Sequence, residues 1–165
     1  MVRYAAFGSN LHPVRLQVRV SSAVLLGTGF LPGWELCFHK RGADESGKCN
    51  IIKSDRGVYV AVYELDTRAK SALDRIEGVG KGYTNRVIDV PHFGACFAYH
   101  ASTSHIEDSL RPYQWYKEIV LLGSRTLGFP DDYCGAIAAT EAVEDPDRRR
   151  NDMHWDLIEV LRQGV

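Results

Sequence analysis

The pattern of hydrophobic and polar residues changes along the chain from a two-residue period to a helical period. The apolar run from Val2 to Phe7 stops at Gly8-Ser9-Asn10, and these turn-forming residues predict a strand that ends in a loop. Valines alternate with other residues between 58 and 65, which predicts a second strand. Further short strands, separated by glycine, proline or polar residues, are predicted at 24–31, 35–39, 50–53, 86–90 and 95–101.

A helix is predicted directly after the valine-rich strand. Asp66 suits the N-cap, Ala69, Leu73 and Glu77 follow at intervals of four, and Gly78 supplies a C-terminal stop. Because most strands precede most helices, the chain is predicted to be a single α+β domain over residues 1–165. Other helices are predicted at 11–20, from 112 onwards, at 131–143 and around 155–161, with the polar, arginine-containing segment 144–151 as a solvated loop.

Composition and charge argue against several classes of protein. The 165 residues carry 20 basic and 21 acidic side chains, so the chain has no overall basic footprint for nucleic acid or an anionic membrane. No segment reaches the roughly 20 apolar residues of a membrane-spanning helix, and the N-terminus lacks the features of a signal peptide. Apart from the loose pairs Cys37/His39 and His100/His105, the cysteines and histidines lack the spacing of a zinc site. We therefore expect a cytoplasmic protein with reduced thiols, no metal, and no nucleic-acid or membrane partner.

Glu77 is the first candidate for chemistry. Residues four apart on a helix share a face, so Glu77 continues the apolar stripe of Ala69 and Leu73 and is predicted to point inward. An inward carboxyl at the end of a helix is suited to act as a general acid or base. The alternative is an exposed glutamate, or one paired with a nearby basic residue: Arg75, Lys81 or Arg86.

Two further features suggest a polar pocket. A strand ending in Phe7-Gly8-Ser9-Asn10 can direct successive backbone N–H groups into a cavity, where they bind a carboxylate or stabilise an oxyanion. An ordinary turn is the alternative. Four tyrosines lie in or beside predicted strands or at inward helix positions, where converging hydroxyls can line a pocket and core packing is the alternative for each. They are Tyr4, Tyr83, Tyr99 and Tyr116.

Three motifs occur in register along the chain. The first is Tyr4-Ala5-Ala6-Phe7-Gly8-Ser9-Asn10, a tyrosine followed by a strand that ends in G-S-N. The second is L-D-R-I-E-G-V at 73–79, followed by Gly82-Tyr83. The third runs from Pro112 through Tyr116 to G-F-P-D-D-Y at 128–133. In this order and spacing the motifs resemble the γ-glutamylcyclotransferase family, and the resemblance spans residues 3 to about 133.

The resemblance implies both a fold and an activity. The fold is a small, mixed or barrel-like β-sheet flanked by helices. The activity is cyclisation of a γ-glutamyl group to 5-oxoproline with release of an amine or amino acid, with Glu77 as general acid and base and with no cofactor. The substrate-binding residues expected from the resemblance and the tyrosine pattern are Tyr4, Ala5, Ala6, Phe7, Gly8, Ser9, Asn10, Tyr83, Tyr99 and Tyr116.

The chain departs from the family pattern at one motif position, and several questions stay open. Phe7 occupies the place of a tyrosine in the family's Y-G-S-N sequence, so one hydroxyl is lost. The polar region 41–55 matches no motif, and the identity of the leaving group is therefore open. The leaving group is an amino acid, an amine or part of a protected biosynthetic intermediate. A protein that binds a small γ-glutamyl or anionic ligand without turnover is the alternative function, and a homodimer through the last helix is left open.

Overall fold

The computed structural model describes residues 1–164 and places a five-stranded mixed sheet among five helices. The strand order is β2-β3-β1-β5-β4, and every neighbouring pair is antiparallel except β1 and β5. The expected α+β class and mixed sheet are therefore confirmed. The strands are β1 (Val2–Ala6), β2 (Val24–Arg41), β3 (Gly47–Leu65), β4 (Tyr83–Val90) and β5 (Gly94–Ala101).

Two of the five helices lie in connections between strands, and the other three follow the last strand. The 3₁₀ turn Thr103–His105 precedes α3. The helices are α1 (Pro13–Arg19), α2 (Thr67–Glu77), α3 (Gln114–Thr126), α4 (Asp131–Ala139) and α5 (Arg148–Arg162). The fully buried side chains of Tyr63, Leu73, Ile119 and Ile158 show that strands and helices contribute to the same core.

The short strands predicted at 24–31, 35–39, 50–53 and 58–65 are wrong as separate elements, because they merge into the long hairpin β2–β3. The end of a strand that is predicted at Pro32-Gly33 is instead a shift in the pairing register between Pro32 and Trp34, where Gly33 has φ 81°. Pro32 is tolerated because β2 is an edge strand, where a missing N–H breaks no ladder. A bulge takes up the extra residue, so the strand continues.

The predicted boundaries of the last two helices are corrected. Helix α4 ends at Ala139, four residues before the predicted end, and the segment 148–150 begins α5 where a loop is predicted. The side chain of Asp147 accepts a hydrogen bond from the backbone N–H of Arg150, which satisfies one free donor of the first helical turn. This cap starts the helix at the arginines.

Helix α2 forms as the sequence predicts, and its two ends fix the position of Glu77. The Asp66 carboxylate accepts from the backbone N–H of Ala69 at 2.6 Å. Gly78 has φ 71°, a left-handed conformation that glycine adopts without a steric penalty. Glu77 is thus the last residue of α2, directly before the chain turns away.

Candidate active site

Two connected hollows lie where the β1 loop, α2 and α3 meet. The inner recess has a volume of about 20 Å³ and the outer cavity of about 580 Å³. Both are lined by Ser9, Glu77, Tyr83 and Tyr116, so the recess opens into the cavity through these residues. The structure thus brings these four residues together, although Ser9 and Tyr116 lie 107 positions apart in the chain.

Glu77 lies at the boundary between recess and cavity, with its side chain 15% exposed. Oε1 accepts from Asn10 Nδ2 at 3.0 Å and from Arg19 Nη1 at 2.9 Å. Among residues 1–164 no donor is bonded to Oε2. The inward orientation predicted from helix periodicity is confirmed, but the cation is Arg19 of α1, not one of the neighbouring basic residues. One oxygen is anchored and the other is open to a ligand.

Asp74, one turn before Glu77, ties α2 to the sheet. Its carboxylate accepts from the hydroxyl of Tyr99 at 2.7 Å and from Asn85 Nδ2 at 3.2 Å, and it pairs with Lys70 at 2.7 Å. Burial disfavours the charged form of Asp74 and acts to raise its pKa. The hydrogen bonds from Lys70 and Tyr99 outweigh this effect, so the pKa of Asp74 is lowered. Tyr99 lines the recess, yet its hydroxyl proton is committed to Asp74. These contacts orient the helix that carries Glu77.

The loop after β1 requires glycine at position 8. A Cβ there would lie 2.9 Å from Cys49 Cβ and 3.6 Å from the Tyr116 hydroxyl, so a larger residue would close the recess. The backbone N–H groups of Gly8 and Ser9 donate to no acceptor in the described part of the chain, whereas Gly8 accepts from the N–H of Leu11. Gly8 and Ser9 line the same recess as Glu77, and the N–H groups of the predicted cradle are not committed to another acceptor.

The recess tyrosines differ in what their hydroxyls can still do. Tyr4 accepts from Asn10 Nδ2 at 3.1 Å and Tyr116 accepts from the N–H of Cys49 at 3.1 Å, so each keeps its own proton for a ligand. Tyr83 donates its proton to the Cys49 carbonyl at 2.7 Å. Burial raises the pKa of Tyr4 and of Tyr116, so both remain protonated donors at neutral pH.

Not every residue expected at the site reaches it. Phe7, Gly8, Ser9 and Asn10 line the recess with the four tyrosines, but Ala5 and Ala6 do not. Both alanines are fully buried within β1, where they pair with Val62 and Ala61 of β3. Their side chains therefore belong to the core, and the prediction that they contact substrate is not supported by their position.

Lys48 and Asp44 are residues of the outer cavity that the sequence did not single out. They pair at 2.7 Å beneath a wall of aromatic rings, with Lys48 Nζ 4.7 Å from the Trp115 centroid and 4.5 Å from that of Tyr116. Burial lowers the pKa of Lys48. The hairpin β2–β3 delivers both residues from the region 41–55 that matches no motif.

His154 is also part of the cavity wall. No site residue is predicted on the last helix, but the imidazole stacks on Trp115 with ring centroids 3.6 Å apart. Burial and the neighbouring Arg15 lower the pKa of His154 to about 4, so the ring is neutral at pH 7. Trp115 is held in turn by its Nε1–H, which donates to Asp145 at 2.8 Å.

Cys49 lines the recess but is unsuited to nucleophilic attack, because burial raises the pKa of its thiol to about 12. All four cysteines are free thiols, and three of them are buried.

In residues 1–164, no three His, Cys, Asp or Glu side chains cluster as a metal site would need. Over the same residues, no helix has both the length and the apolar character needed to span a membrane.

Comparison with known proteins gives the family context of this site. A model of the AIG2-like family matches residues 57–137, which include Glu77, Tyr83, Tyr99 and Tyr116. Bovine γ-glutamylcyclotransferase is 24% identical over 172 residues, covering 98% of this chain and 88% of that protein. Both comparisons extend over Glu77.

Solved structures give the same result for the fold. A structure of a γ-glutamyl cyclotransferase superposes with a TM-score of 0.84 at 25% identity, covering 96% of this chain and 98% of that one. An uncharacterized human protein matches with a TM-score of 0.83 at 25% identity over the same shares of each chain. YkqA from Bacillus subtilis, 18% identical with a TM-score of 0.72, matches 86% of this chain and 56% of its own, and shares the fold.

The motifs, the mixed sheet and these comparisons agree: the chain has the γ-glutamylcyclotransferase-like fold, and its sequence is similar to that of members of this family.

Proposed function

We propose that the protein is a γ-glutamyl cyclotransferase that converts a γ-glutamyl amide to 5-oxoproline and a free amine or amino acid. The observation that carries the proposal is the position of Glu77 beside the loop 8–9. One of its oxygens is anchored by Asn10 and Arg19, the other accepts no hydrogen bond from residues 1–164, and the residue lines a recess with unused N–H donors. This arrangement suits a substrate that contains both an ammonium group and an amide carbonyl.

The chemistry places the nucleophile and the electrophile in one molecule. The α-nitrogen of the γ-glutamyl group forms a bond to its own γ-carbonyl carbon, and the bond from that carbon to the leaving nitrogen breaks. Two protons leave the α-nitrogen as the lactam forms, and two arrive on the departing nitrogen. The balance therefore needs no water, oxidant or other co-reactant. The protein must fold the substrate into a reactive conformation, an effect worth up to roughly 10 kcal/mol in well-oriented systems.

In this proposal each recess residue has a separate task. Glu77 Oε2 takes a proton from the α-ammonium and returns one to the leaving nitrogen, a role that contributes roughly 10²–10⁴ in rate. The N–H groups of Gly8 and Ser9 donate to the oxyanion of the tetrahedral intermediate. The hydroxyls of Tyr4 and Tyr116, which keep their protons, bind and orient the γ-glutamyl group.

The test is release of 5-oxoproline from a panel of γ-glutamyl compounds, followed by mass spectrometry. We expect turnover by the wild-type protein and its loss in Glu77→Gln, which keeps the shape of the side chain and removes its basicity. Glu144→Gln, at an exposed position outside both hollows, is the matched control and should keep full activity. Wild-type turnover by Glu77→Gln would show that the proposed mechanism is wrong.

The alternative function is a binding protein without turnover. Binding of a γ-glutamyl compound by calorimetry, with no 5-oxoproline formed over hours, would support that alternative. For an anionic ligand without an ammonium group, the carboxylate of Glu77 would weaken binding by charge repulsion. We also propose a cytoplasmic location and a homodimer. Measurements in cells test the location, and measurements in solution test the homodimer.

A further inference from the structure

The outer cavity is lined by more cations than carboxylates. Three carboxylates line it, those of Asp44, Glu45 and Glu77. Twice as many cationic side chains do so: Arg15, Arg19, Lys40, Arg41, Lys48 and Lys81. The protein as a whole is nearly neutral, so this excess is a property of the cavity and not of the composition.

Half of these cations are already neutralised by the protein. Arg19 pairs with Glu77 at 2.9 Å, and Lys48 pairs with Asp44 at 2.7 Å. Arg41 pairs with two glutamates, at 45 and 107. Because each of these three cations already has a carboxylate partner, none of them requires a bound anion to neutralise its charge.

The other half have no such partner. Over residues 1–164, Arg15, Lys40 and Lys81 form no ion pair with any carboxylate. Arg15 and Lys40 are interior positions, each only 6% exposed, whereas Lys81 is exposed at the rim. Buried cations are ordinarily paired, because removing a charge from water is costly. Two buried cations that line one cavity without a carboxylate partner therefore point to an absent ligand.

Arg15 is the stronger of the two indications. Its Nε is buried and has no hydrogen-bond partner among the described residues, although a guanidinium has five N–H donors to satisfy. Burial, followed by the neighbouring Arg19, lowers its pKa to about 10, so it still carries its charge at pH 7. Arg15 lies on α1 and lines the outer cavity, on the same wall as His154 and Trp115.

Lys40 approaches the cavity from the other side, close to the recess. Its Nζ lies 4.2 Å from the ring centroid of Tyr83, a residue shared by recess and cavity. Gly82 passes so close that a Cβ there would lie 2.9 Å from Nζ. Glycine at that position thus leaves Lys40 room to extend its ammonium group along the wall.

A count of charges relates these cations to the substrate of the proposed reaction. The γ-glutamyl group brings one carboxylate, its α-carboxylate, which one of the three unpaired cations can neutralise. Two unpaired cations are then left for the part of the substrate that departs. A leaving group with no charge would leave both uncompensated in the cavity, and a leaving group with a single carboxylate would leave one.

We infer, on the basis of the proposed cyclotransferase function, that the leaving amine carries two negative charges and that Arg15 and Lys40 select it. Either two carboxylates or one phosphate monoester satisfies this requirement. Both chemistries accept hydrogen bonds from a guanidinium fork and an ammonium group. The volume of the outer cavity, about 580 Å³, accommodates a leaving group of this size.

Two matched pairs of substrates test the inference. γ-Glutamylaspartate and γ-glutamylasparagine have nearly the same shape and differ by one charge. The amide of O-phosphoethanolamine and that of ethanolamine differ by the phosphate. We expect kcat/KM to be at least about tenfold higher for the dianionic member of one pair or both, mainly through a lower KM. Preference in the first pair alone identifies a dicarboxylate, and preference in the second alone identifies a phosphate.

Variants assign the preference to residues. Arg15→Met and Lys40→Met should each lower the ratio of kcat/KM for γ-glutamylaspartate over γ-glutamylasparagine by about tenfold, and Arg15→Lys should restore part of it. Lys53→Met removes an exposed lysine that lies over Trp34 outside both hollows, and should leave the ratio unchanged. If Arg15→Met does not fold by circular dichroism, Lys40→Met and the salt dependence of the wild-type ratio carry the test.

The possible failures are distinguishable. Equal kcat/KM within both pairs, with 5-oxoproline formed from all substrates, overturns the inference and leaves the cyclotransferase function intact. An unchanged ratio in both Met variants overturns the assignment to Arg15 and Lys40. No 5-oxoproline from any of the four compounds contradicts the proposed function itself, and the inference falls with it.

Discussion

The inner recess and the outer cavity share one wall but are built on different principles. In the recess, polar groups bond to one another: Asn10 joins the Tyr4 hydroxyl to Glu77, and Tyr116 is held by Cys49. In the cavity, two interior cations, Arg15 and Lys40, form no ion pair with a carboxylate of the described residues. A site whose groups satisfy one another is fixed before substrate arrives, which is what proton transfer requires. A site with unsatisfied charge is completed by its ligand, which is what selection requires.

The largest expected effect is closure of the recess by Gly8→Ala. The added methyl group would lie 2.9 Å from Cys49 Cβ and would displace the loop that carries the free N–H groups. We expect kcat/KM to fall by about 100-fold, the effect of losing one oxyanion donor. Gly135→Ala is the control, because it adds a methyl group on α4 with no atom within 4 Å, and it should keep full activity. Equal activity of the two variants would show that the recess is not the reactive site.

The next effect concerns the wall of the outer cavity. Asp145 has no exposed side-chain surface, pairs with Arg150 and accepts from Trp115. The hydrogen bonds from Arg150 lower the pKa of Asp145 to about 2. Because this pKa is lower in the folded state than in the unfolded state, the stabilisation is complete above about pH 4 and is lost as pH falls through about 2. We expect Asp145→Asn to destabilise the protein at pH 7 by roughly 2 kcal/mol.

Denaturant unfolding at pH 7 and at low pH measures this difference. The variant and the wild-type protein should converge in stability as the pH is lowered. Asp156→Asn, an exposed position on α5, the helix that carries Arg150, should change the free energy of unfolding by less than about 0.5 kcal/mol. A stability difference that persists undiminished at the lowest pH would contradict the role given to the ion pair.

A smaller effect is expected from the contacts that orient Glu77. Asp74→Ala and Tyr99→Phe each remove the hydrogen bond at 2.7 Å between α2 and β5. Each should lower kcat by about tenfold with less change in KM, and the double variant should be no worse than either single variant, because both disrupt one interaction. Steady-state kinetics of the three variants test this. Additive losses would mean that Tyr99 acts on the substrate directly.

The smallest effect is expected at the position where this chain departs from the γ-glutamylcyclotransferase motif that it resembles. Phe7 lines the recess, is buried, and lies edge-on to His100 with ring centroids 6.3 Å apart. Because Tyr4 and Tyr116 already provide hydroxyl donors, Phe7→Tyr should change kcat/KM by less than about threefold. A gain well above this, measured on the same substrate panel, would show that the missing hydroxyl limits the reaction.

Most of the recess could be predicted from the sequence, because its signals are local. The stripe of Ala69, Leu73 and Glu77 depends only on helix periodicity, and the Asp66 cap and the Gly78 stop set the ends of that helix. The loop 8–10 follows from a strand that ends in turn-forming residues. Arg19 was missed as the partner of Glu77, since no local rule relates positions 58 residues apart.

The outer cavity could not be predicted in the same way. Lys48 and Asp44 belong to a region without a motif, and His154 lies on a helix that shows only an amphipathic pattern. The sequence pattern also predicted several short strands in place of the hairpin β2–β3, because Pro32 was expected to end a strand. Pro32 lies in an edge strand, where a proline is tolerated. The hairpin's length is what carries Lys40 and Lys48 to the cavity.

The sequence alone determined the order of elements, the α+β class, the helix that presents Glu77 and the glycine loop opposite it. These depend on periodicity, capping and turn formation, which act over a few residues. The tertiary structure alone decided which oxygen of Glu77 is free, which tyrosines keep a proton to donate, and which cations lack a partner. Each of these depends on contacts between distant segments, where burial and hydrogen-bond pairing set the state of a charged group.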